Sequence, residues 1–151
     1  MSRAITDHLY GGEQTYRLKQ EIVLGIGGAR LLQVLGFQVR KFHMNEGHAS
    51  FLTLELLNHH RRPVEDTWDE RDSWDTRKVQ ELCVFTTHTP VPAGHDHFAD
   101  DMVMHYFGEF CKEAGLDRDG LLGMGRVGGG VLHLHRVPGG RGFRGDAVAQ
   151  A

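Results

Sequence analysis

The sequence predicts an α/β fold with a parallel sheet, and two observations carry that prediction. First, the runs at 36–45 (GFQVRKFHMN) and 83–89 (CVFTTHT) are rich in β-branched and aromatic residues, which is typical of strands. Second, a helix-like stretch precedes each run and another follows it. Strands that alternate with helices are usually joined by crossovers and therefore pair in parallel. With 151 residues, of which 40% are hydrophobic, the chain can bury one sizeable core.

The first helix-like stretch, residues 16–35, allows two interpretations. As a strand, glycine turn and helix it would resemble a dinucleotide-binding fingerprint, but Arg30 stands where G-x-G-x-x-G requires its last glycine. As one helix, it would use Gly25 and Gly28 to let another backbone approach closely. The helix is favoured because apolar residues recur at helical spacing: Ile22, Ile26, Ala29, Leu32 and Leu35.

The other elements follow from periodicity and composition. Residues 47–60 read as a buried helix, 77–82 as a short helix, and 98–116 as an amphipathic helix. The amphipathic helix is predicted from apolar residues at four-residue steps: Phe98, Met102, Tyr106, Phe110 and Ala114. Between the first two lies a charged loop in which Trp68 and Trp74 are expected to cap the core, with contact to a partner as the alternative.

The end of the chain differs from the rest. Residues 123–151 carry nine glycines without a regular spacing, so a packed element is not predicted there. We therefore assign residues 1–126 to the domain, and 127–151 to a disordered tail or to sequence translated out of frame. An arginine and glycine tail that binds RNA is the alternative.

Charge and cysteine content restrict the class of protein. A formal net charge of -3 does not indicate a partner that is nucleic acid or a membrane surface. Cys83 and Cys111 form no C-x-x-C motif, so a reducing, cytoplasmic location is expected. The sequence shows no signal peptide, and no apolar run reaches the about 20 residues that span a bilayer.

Polar side chains follow both predicted strands. Asn45, Glu46 and His48 come after the first, and His88 and Thr89 end the second. Because ligands of parallel α/β sheets bind at the carboxyl ends of the strands, these residues could line one crevice. Amides, carboxylates, imidazoles and hydroxyls match the many donors and acceptors of a sugar. The alternative is structural, since the same residue types also begin helices and form turns.

A metal site is not predicted from this pattern. His43 and His48 are five residues apart, whereas zinc-binding helices usually present histidines four apart. The turn in which His95 and His97 flank Asp96 keeps a metal open as an alternative. The sequence shows neither the motif of a serine nucleophile nor that of a phosphate-binding loop.

Four segments in order resemble a known family, the α-glucan phosphorylases that act on glycogen and maltodextrin. They are LYGGE, RLKQEIVLGIGG, FHMNEGHASFLTLELL and VFTTHTPVPAGHD, and the resemblance covers about residues 5–126. In that family the RLKQE stretch opens a long helix, which supports the helical interpretation of residues 16–35. The resemblance implies a pair of Rossmann-like domains facing a cleft, the GT-B glycosyltransferase fold, with this chain in the N-terminal domain.

The resemblance also implies a reaction and roles for residues. These enzymes are retaining glycosyltransferases that move a terminal glucose from an α-1,4-glucan to inorganic phosphate and release glucose 1-phosphate. His88 would be the catalytic residue next to the reacting glucose. Residues expected to contact the substrate, or to lie by the loop that gates the site, are Tyr10, Gly11, Asn45, Glu46, His48 and Thr89.

The family needs pyridoxal phosphate, which a lysine of the second domain holds beside the substrate phosphate. No lysine of this chain lies in a stretch that matches the cofactor site. We therefore expect a fragment that supplies one wall of the sugar crevice, lacks the C-terminal domain as its partner, and is inactive alone. A non-catalytic carbohydrate-binding module is the alternative.

Overall fold

The computed structural model describes residues 3–8, 12–63, 73–86, 88 and 96–125. The expectations for Trp68 and for the glycine-rich end at 127–151 lie outside these residues. Within them, short 3₁₀ turns occupy Arg3–Thr6 and Gly47–Ala49. The regular elements are α1 (Gln14–Ile22), α2 (Gly28–Val34), β1 (Phe42–Asn45), α3 (Leu52–His59), α4 (Thr76–Leu82), β2 (Cys83–Thr86), α5 (Asp100–Ala114) and α6 (Arg118–Gly125).

The two strands pair in parallel, which confirms the predicted α/β arrangement. Phe42 lies opposite Cys83, and Asn45 lies opposite Thr86. β1 is shorter than the predicted strand at 36–45. The register explains the difference, because β2 begins at Cys83 immediately after α4 and offers residues before Phe42 no partner. Phe37 is accordingly exposed rather than paired.

The stretch at 16–35 is helical, as favoured from the sequence. α1 continues through a π-helical segment, Val23–Gly27, into α2. Gly25 permits the close approach that was predicted, since a Cβ there would lie 2.8 Å from the backbone nitrogen of Leu52. The same prediction for Gly28 is wrong, because no atom lies within 4 Å of its Cβ position.

The apolar face predicted for this helix packs on the core except at its C-terminal end. Ile26 is buried, but Leu35 is 61% exposed, so its predicted core position is wrong. Ala29, which follows the π-helical segment, still packs against the core. Leu35 is the C-terminal cap of α2 and lies beyond its last helical residue, Val34.

α3 and α5 form the centre of the core. Residues 51–57 are all buried, and the Phe51 ring lies 4.7 Å from the Phe107 ring. α5 confirms the predicted amphipathic helix, although it begins after Phe98. Its buried face is Val103, Phe107, Phe110, Cys111 and Ala114. Met102 and Tyr106 are only partly buried, because successive four-residue steps drift about 40° around a helix of 3.6 residues per turn.

Two further features complete the packing. Trp74 is buried, as expected for a residue that caps the core, and the Arg61 guanidinium lies 5.7 Å from its ring centre. α6 was not predicted, because its sequence RDGLLGMG carries three glycines. Tertiary packing nevertheless buries Leu121 and Leu122. No helix in the described part of the chain is long and apolar enough to cross a membrane.

Gly25→Ala should destabilise the fold, whereas Gly28→Ala should not. At Gly25 the new methyl group would meet backbone atoms of Leu52 and Ala49 at 2.8 and 3.1 Å, which we expect to cost about 1–3 kcal/mol of unfolding free energy. Gly28 offers open space, so alanine there should gain about 0.5–1 kcal/mol through helix propensity. Urea unfolding followed by circular dichroism measures both. Equal effects at the two positions would contradict the packing described here.

Candidate functional site

The carboxyl ends of the two strands bring three of the predicted site residues together. Asn45 ends β1 opposite Thr86, and His88 lies two residues beyond β2. The His88 Nε2 is 3.0 Å from the Asn45 Oδ1. The backbone N–H of His88 donates a hydrogen bond to the Glu46 carboxylate. Both strand ends therefore contribute to one hydrogen-bonded group, which we call the strand-end triad: Asn45, Glu46 and His88.

Glu46, one member of this triad, has an unusual backbone conformation. Its φ of 56° makes it the only non-glycine residue with positive φ in the described part of the chain. Such a conformation costs of order 1–3 kcal/mol and persists where its surroundings enforce it. Here the Glu46 N–H donates to the Thr86 carbonyl at 2.8 Å, while its side chain accepts from His88. The backbone of Glu46 thus bonds to the last residue of β2, and its side chain bonds to His88 beyond that strand.

The hydrogen bond with Asn45 indicates which ring nitrogen of His88 donates. The Asn45 Oδ1 can only accept, so the Nε2 of His88 is the donor in this pair, and in the neutral tautomer with that proton the Nδ1 is an acceptor. Asn45 and His88 are both exposed. The triad therefore offers an amide and an oriented imidazole to a ligand that approaches from solvent.

Two neighbouring residues extend this polar surface and were not predicted as site residues. The His43 Nε2 lies 2.6 Å from the Thr86 Oγ1. His43 and Asn45 share one face of β1, while Met44 points to the core and is 3% exposed. The two-residue period of a strand was the signal that could have placed His43 beside Asn45.

His48 lies in a different group of side chains. It takes no part in the two hydrogen bonds of the strand-end triad. Its imidazole and the carboxylates of Glu21 and Asp96 place one ligand atom each within 4.8 Å of one another. The Arg17 guanidinium pairs with Asp96. That one glucan contacts both His48 and His88 stays a prediction.

A cavity of about 450 Å³ adjoins this second group. The polar residues of its wall are Thr6, Arg17, Gln20, Glu21 and His48, while the rest of the wall is apolar. The apolar part belongs mainly to the long helix, through Val23, Leu24, Gly27, Gly28 and Leu31.

Burial controls the ionisation of Glu21. Its residue is 6% exposed, and the pKa of its carboxyl is raised from 4.5 to about 8. Loss of hydration is the largest cause; the charge of Asp96 and a hydrogen bond with it act in the same direction, and the charge of Arg17 opposes them. Glu21 is therefore largely protonated at neutral pH.

A second buried carboxylate is compensated differently. Glu55 is 2% exposed, and its Oε1 accepts from the Arg30 Nε at 2.9 Å and lies 3.0 Å from the His59 Nε2. His59 was predicted to be a solvent-facing residue at the end of a helix. It is exposed as predicted, but it also contacts this buried carboxylate.

Three predicted site residues cannot be placed. Tyr10, Gly11 and Thr89 lie outside the described residues. Their contacts with a substrate therefore stay predictions.

Glu21→Gln should remove a pH dependence of stability. Well below pH 4.5, Glu21 is protonated in both states; between pH 4.5 and about 8 the unfolded chain has largely released the proton and the folded chain keeps it. The unfolding free energy of the wild type should therefore fall as pH rises through that window, by up to about 1.4 kcal/mol per pH unit from this group. Glutamine cannot ionise, so the variant should gain on the wild type across the window.

Urea unfolding from pH 4.5 to 8.5 in the presence of EDTA measures this difference. The matched control is Glu109→Gln, a substitution at an exposed carboxylate of α5. Its difference from the wild type should be flat across the same range. A flat difference for Glu21→Gln as well would show that the buried carboxyl titrates normally.

Comparison with known proteins identifies the relatives of this chain. The glycogen phosphorylase of Mycobacterium tuberculosis is 48% identical over 110 residues, which are 69% of this chain and 12% of that protein. The maltodextrin phosphorylase of Thermococcus litoralis is 40% identical over 126 residues, 83% of this chain and 14% of that protein. The glycogen phosphorylase of Aquifex aeolicus is 33% identical over 126 residues, 82% of this chain and 17% of that protein.

Two other comparisons gave no match. No protein-family model matches the sequence, and no solved structure matches the chain. The chain spans 12% to 17% of the length of the three phosphorylases. The identities nevertheless extend over most of this chain, and they confirm the resemblance carried by the four sequence segments. The chain belongs to the glycogen and maltodextrin phosphorylase family and corresponds to a segment of its members.

Proposed function

We propose that this chain is part of an α-1,4-glucan phosphorylase, which transfers a terminal glucose from glucan to inorganic phosphate and gives glucose 1-phosphate. In this proposal the chain supplies one wall of the sugar crevice and belongs to the N-terminal domain of a GT-B fold in the cytoplasm. The strand-end triad is the observation that carries it, because a chain with phosphorylase relatives presents a hydrogen-bonded histidine at paired strand ends.

The exposed members of the triad suit a sugar. The imidazole of His88 and the amide of Asn45 provide the donors and acceptors that hydroxyl groups need. Asn45 forms a hydrogen bond with the His88 ring, and Glu46 accepts one from the His88 backbone N–H. The ring and the backbone of His88 are therefore both oriented before a ligand binds. A group oriented in advance loses less entropy when it binds or acts. We assign the contact with the reacting glucose to His88.

The exposure of the triad explains why the chain should be inactive alone. Asn45 and His88 both face solvent. Glycosyl transfer to phosphate needs a site from which water is excluded, since water would compete as the acceptor. One wall cannot provide that exclusion. The missing wall and the phosphate site must come from other polypeptide, which we propose is the C-terminal domain.

The lysines of this chain do not fit a pyridoxal phosphate site. The cofactor needs a lysine amine that can bond to it inside a pocket, and neither the cavity beside Glu21 nor the strand-end triad includes a lysine. All four lysines lie elsewhere: Lys19 is 5.4 Å from the Tyr106 ring centre, Lys41 donates to the Glu81 carbonyl, Lys112 is 2.7 Å from the Glu109 carboxylate, and Lys78 is exposed on α4. We propose that the cofactor is held outside this chain.

A chimaera tests the proposal directly. The segment of the Mycobacterium tuberculosis glycogen phosphorylase that aligns with this chain would be replaced by the sequence of this chain. The chimaera should release glucose 1-phosphate from glycogen or maltodextrin, as measured by a coupled assay. The chain alone should release none and should show no aldimine absorbance with pyridoxal phosphate.

Substitutions in the chimaera test the role of the triad. His88→Ala should lower kcat by about a hundredfold, because it removes an oriented group beside the reacting sugar. His105→Ala is the matched control: this histidine is exposed on α5, and its loss should change kcat by less than about twofold. Equal effects of the two substitutions would refute the assignment of His88. Glucan binding by the chain alone, with an inactive chimaera, would instead support the carbohydrate-binding module.

A further inference from the structure

We propose that Glu21, His48 and Asp96 form a binding site for a divalent metal ion, and that zinc is the ion it prefers. The three residues come from distant parts of the chain: α1, the 3₁₀ turn Gly47–Ala49, and the segment before α5. The fold thus gathers two carboxylates and one imidazole at one place. Nothing in the proposed phosphorylase reaction requires this site.

The geometry lies within reach of a zinc ion. One ligand atom of each residue lies within 4.8 Å of the other two. Ligands of a tetrahedral zinc ion at 2.0–2.2 Å are about 3.4 Å apart, so the group has to close by at most about 1.4 Å. Rotation of the Asp96 and His48 side chains can provide that closure, because both residues are only partly buried.

Glu21 is the most buried of the three proposed ligands. It is more than nine-tenths buried. Its carboxyl forms a hydrogen bond with Asp96, which is another of the three. Arg17 compensates the charge of Asp96, while Glu21 is largely protonated when no metal is bound. A divalent ion would displace the Glu21 proton and compensate the buried carboxylate that forms.

The cavity next to the proposed site leaves space for a further ligand of the metal ion. Glu21 and His48 both line the space of about 450 Å³ described above. A metal ion held by three protein ligands keeps a coordination position for water or a small ligand, unlike a closed structural site with four ligands. Mixed nitrogen and oxygen ligands suit zinc and cobalt, and zinc binds more tightly than manganese to such sites.

A zinc titration of the full 151-residue chain tests the proposal. The chain would be freed of metal with EDTA, dialysed, and titrated with zinc chloride against a fluorescent zinc indicator. We expect one site per chain. His48→Gln, Asp96→Asn and Glu21→Gln should each weaken zinc binding at that site by at least about tenfold.

Two further variants make the result specific. His59→Gln is the matched control, because His59 also contacts a buried carboxylate, Glu55, at 3.0 Å; zinc affinity should not change. Arg17→Gln should tighten zinc binding severalfold, because it removes the positive charge that competes for Asp96. Loss of the fold cannot imitate tighter binding, so this variant stays informative even where a ligand variant unfolds.

Cobalt provides a spectroscopic test of the same site. Cobalt chloride added to the metal-free chain should give visible absorption bands of a tetrahedral ion, and His48→Gln should abolish them. The proposal is overturned if no site of single stoichiometry appears. It is also overturned if zinc affinity is equal in the wild type and in the three ligand variants, since the binding would then come from other histidines among the 11.

Discussion

The parallel register of the two strands is the constraint on which the candidate site depends. Four residue pairs, from Phe42–Cys83 to Asn45–Thr86, fix where the two chain segments leave the sheet. A shift by one residue would turn the side chains of β1 to the other face, exposing Met44 and burying Asn45. The pairing therefore buries Met44 in the core on one face of the sheet. It also brings His88 to Asn45 and Glu46 at the carboxyl ends of the strands.

The close contact at Gly25 performs the corresponding task for the second group of side chains. Because no Cβ separates it from Leu52, the long helix approaches the start of α3 closely. The 3₁₀ turn that carries His48 lies immediately before α3, so this approach also brings Glu21 towards His48. The absence of a side chain at Gly25 therefore affects both the packing of this helix and the geometry of the proposed metal site.

Periodicity was sufficient to predict most elements, but not which residues meet. The four-residue steps of α5 identified a helix correctly, while Val103 and Phe107, rather than Met102 and Tyr106, face the centre of the core. Ala29 packs against the core as the spacing predicts, whereas Leu35 at the end of α2 is exposed. α6 was missed because three glycines lower its helix propensity, and only burial of Leu121 and Leu122 stabilises it.

The sequence by itself determined the order of the elements up to α5, the parallel pairing, the polar strand ends and the family, since each is expressed in local pattern or in long motifs. Only the tertiary structure separated His48 from the strand-end triad and joined it to Glu21 and Asp96. The reason is physical: 27 positions separate Glu21 from His48 and 48 separate His48 from Asp96. Contacts over such distances depend on how whole elements pack, and no local period records them.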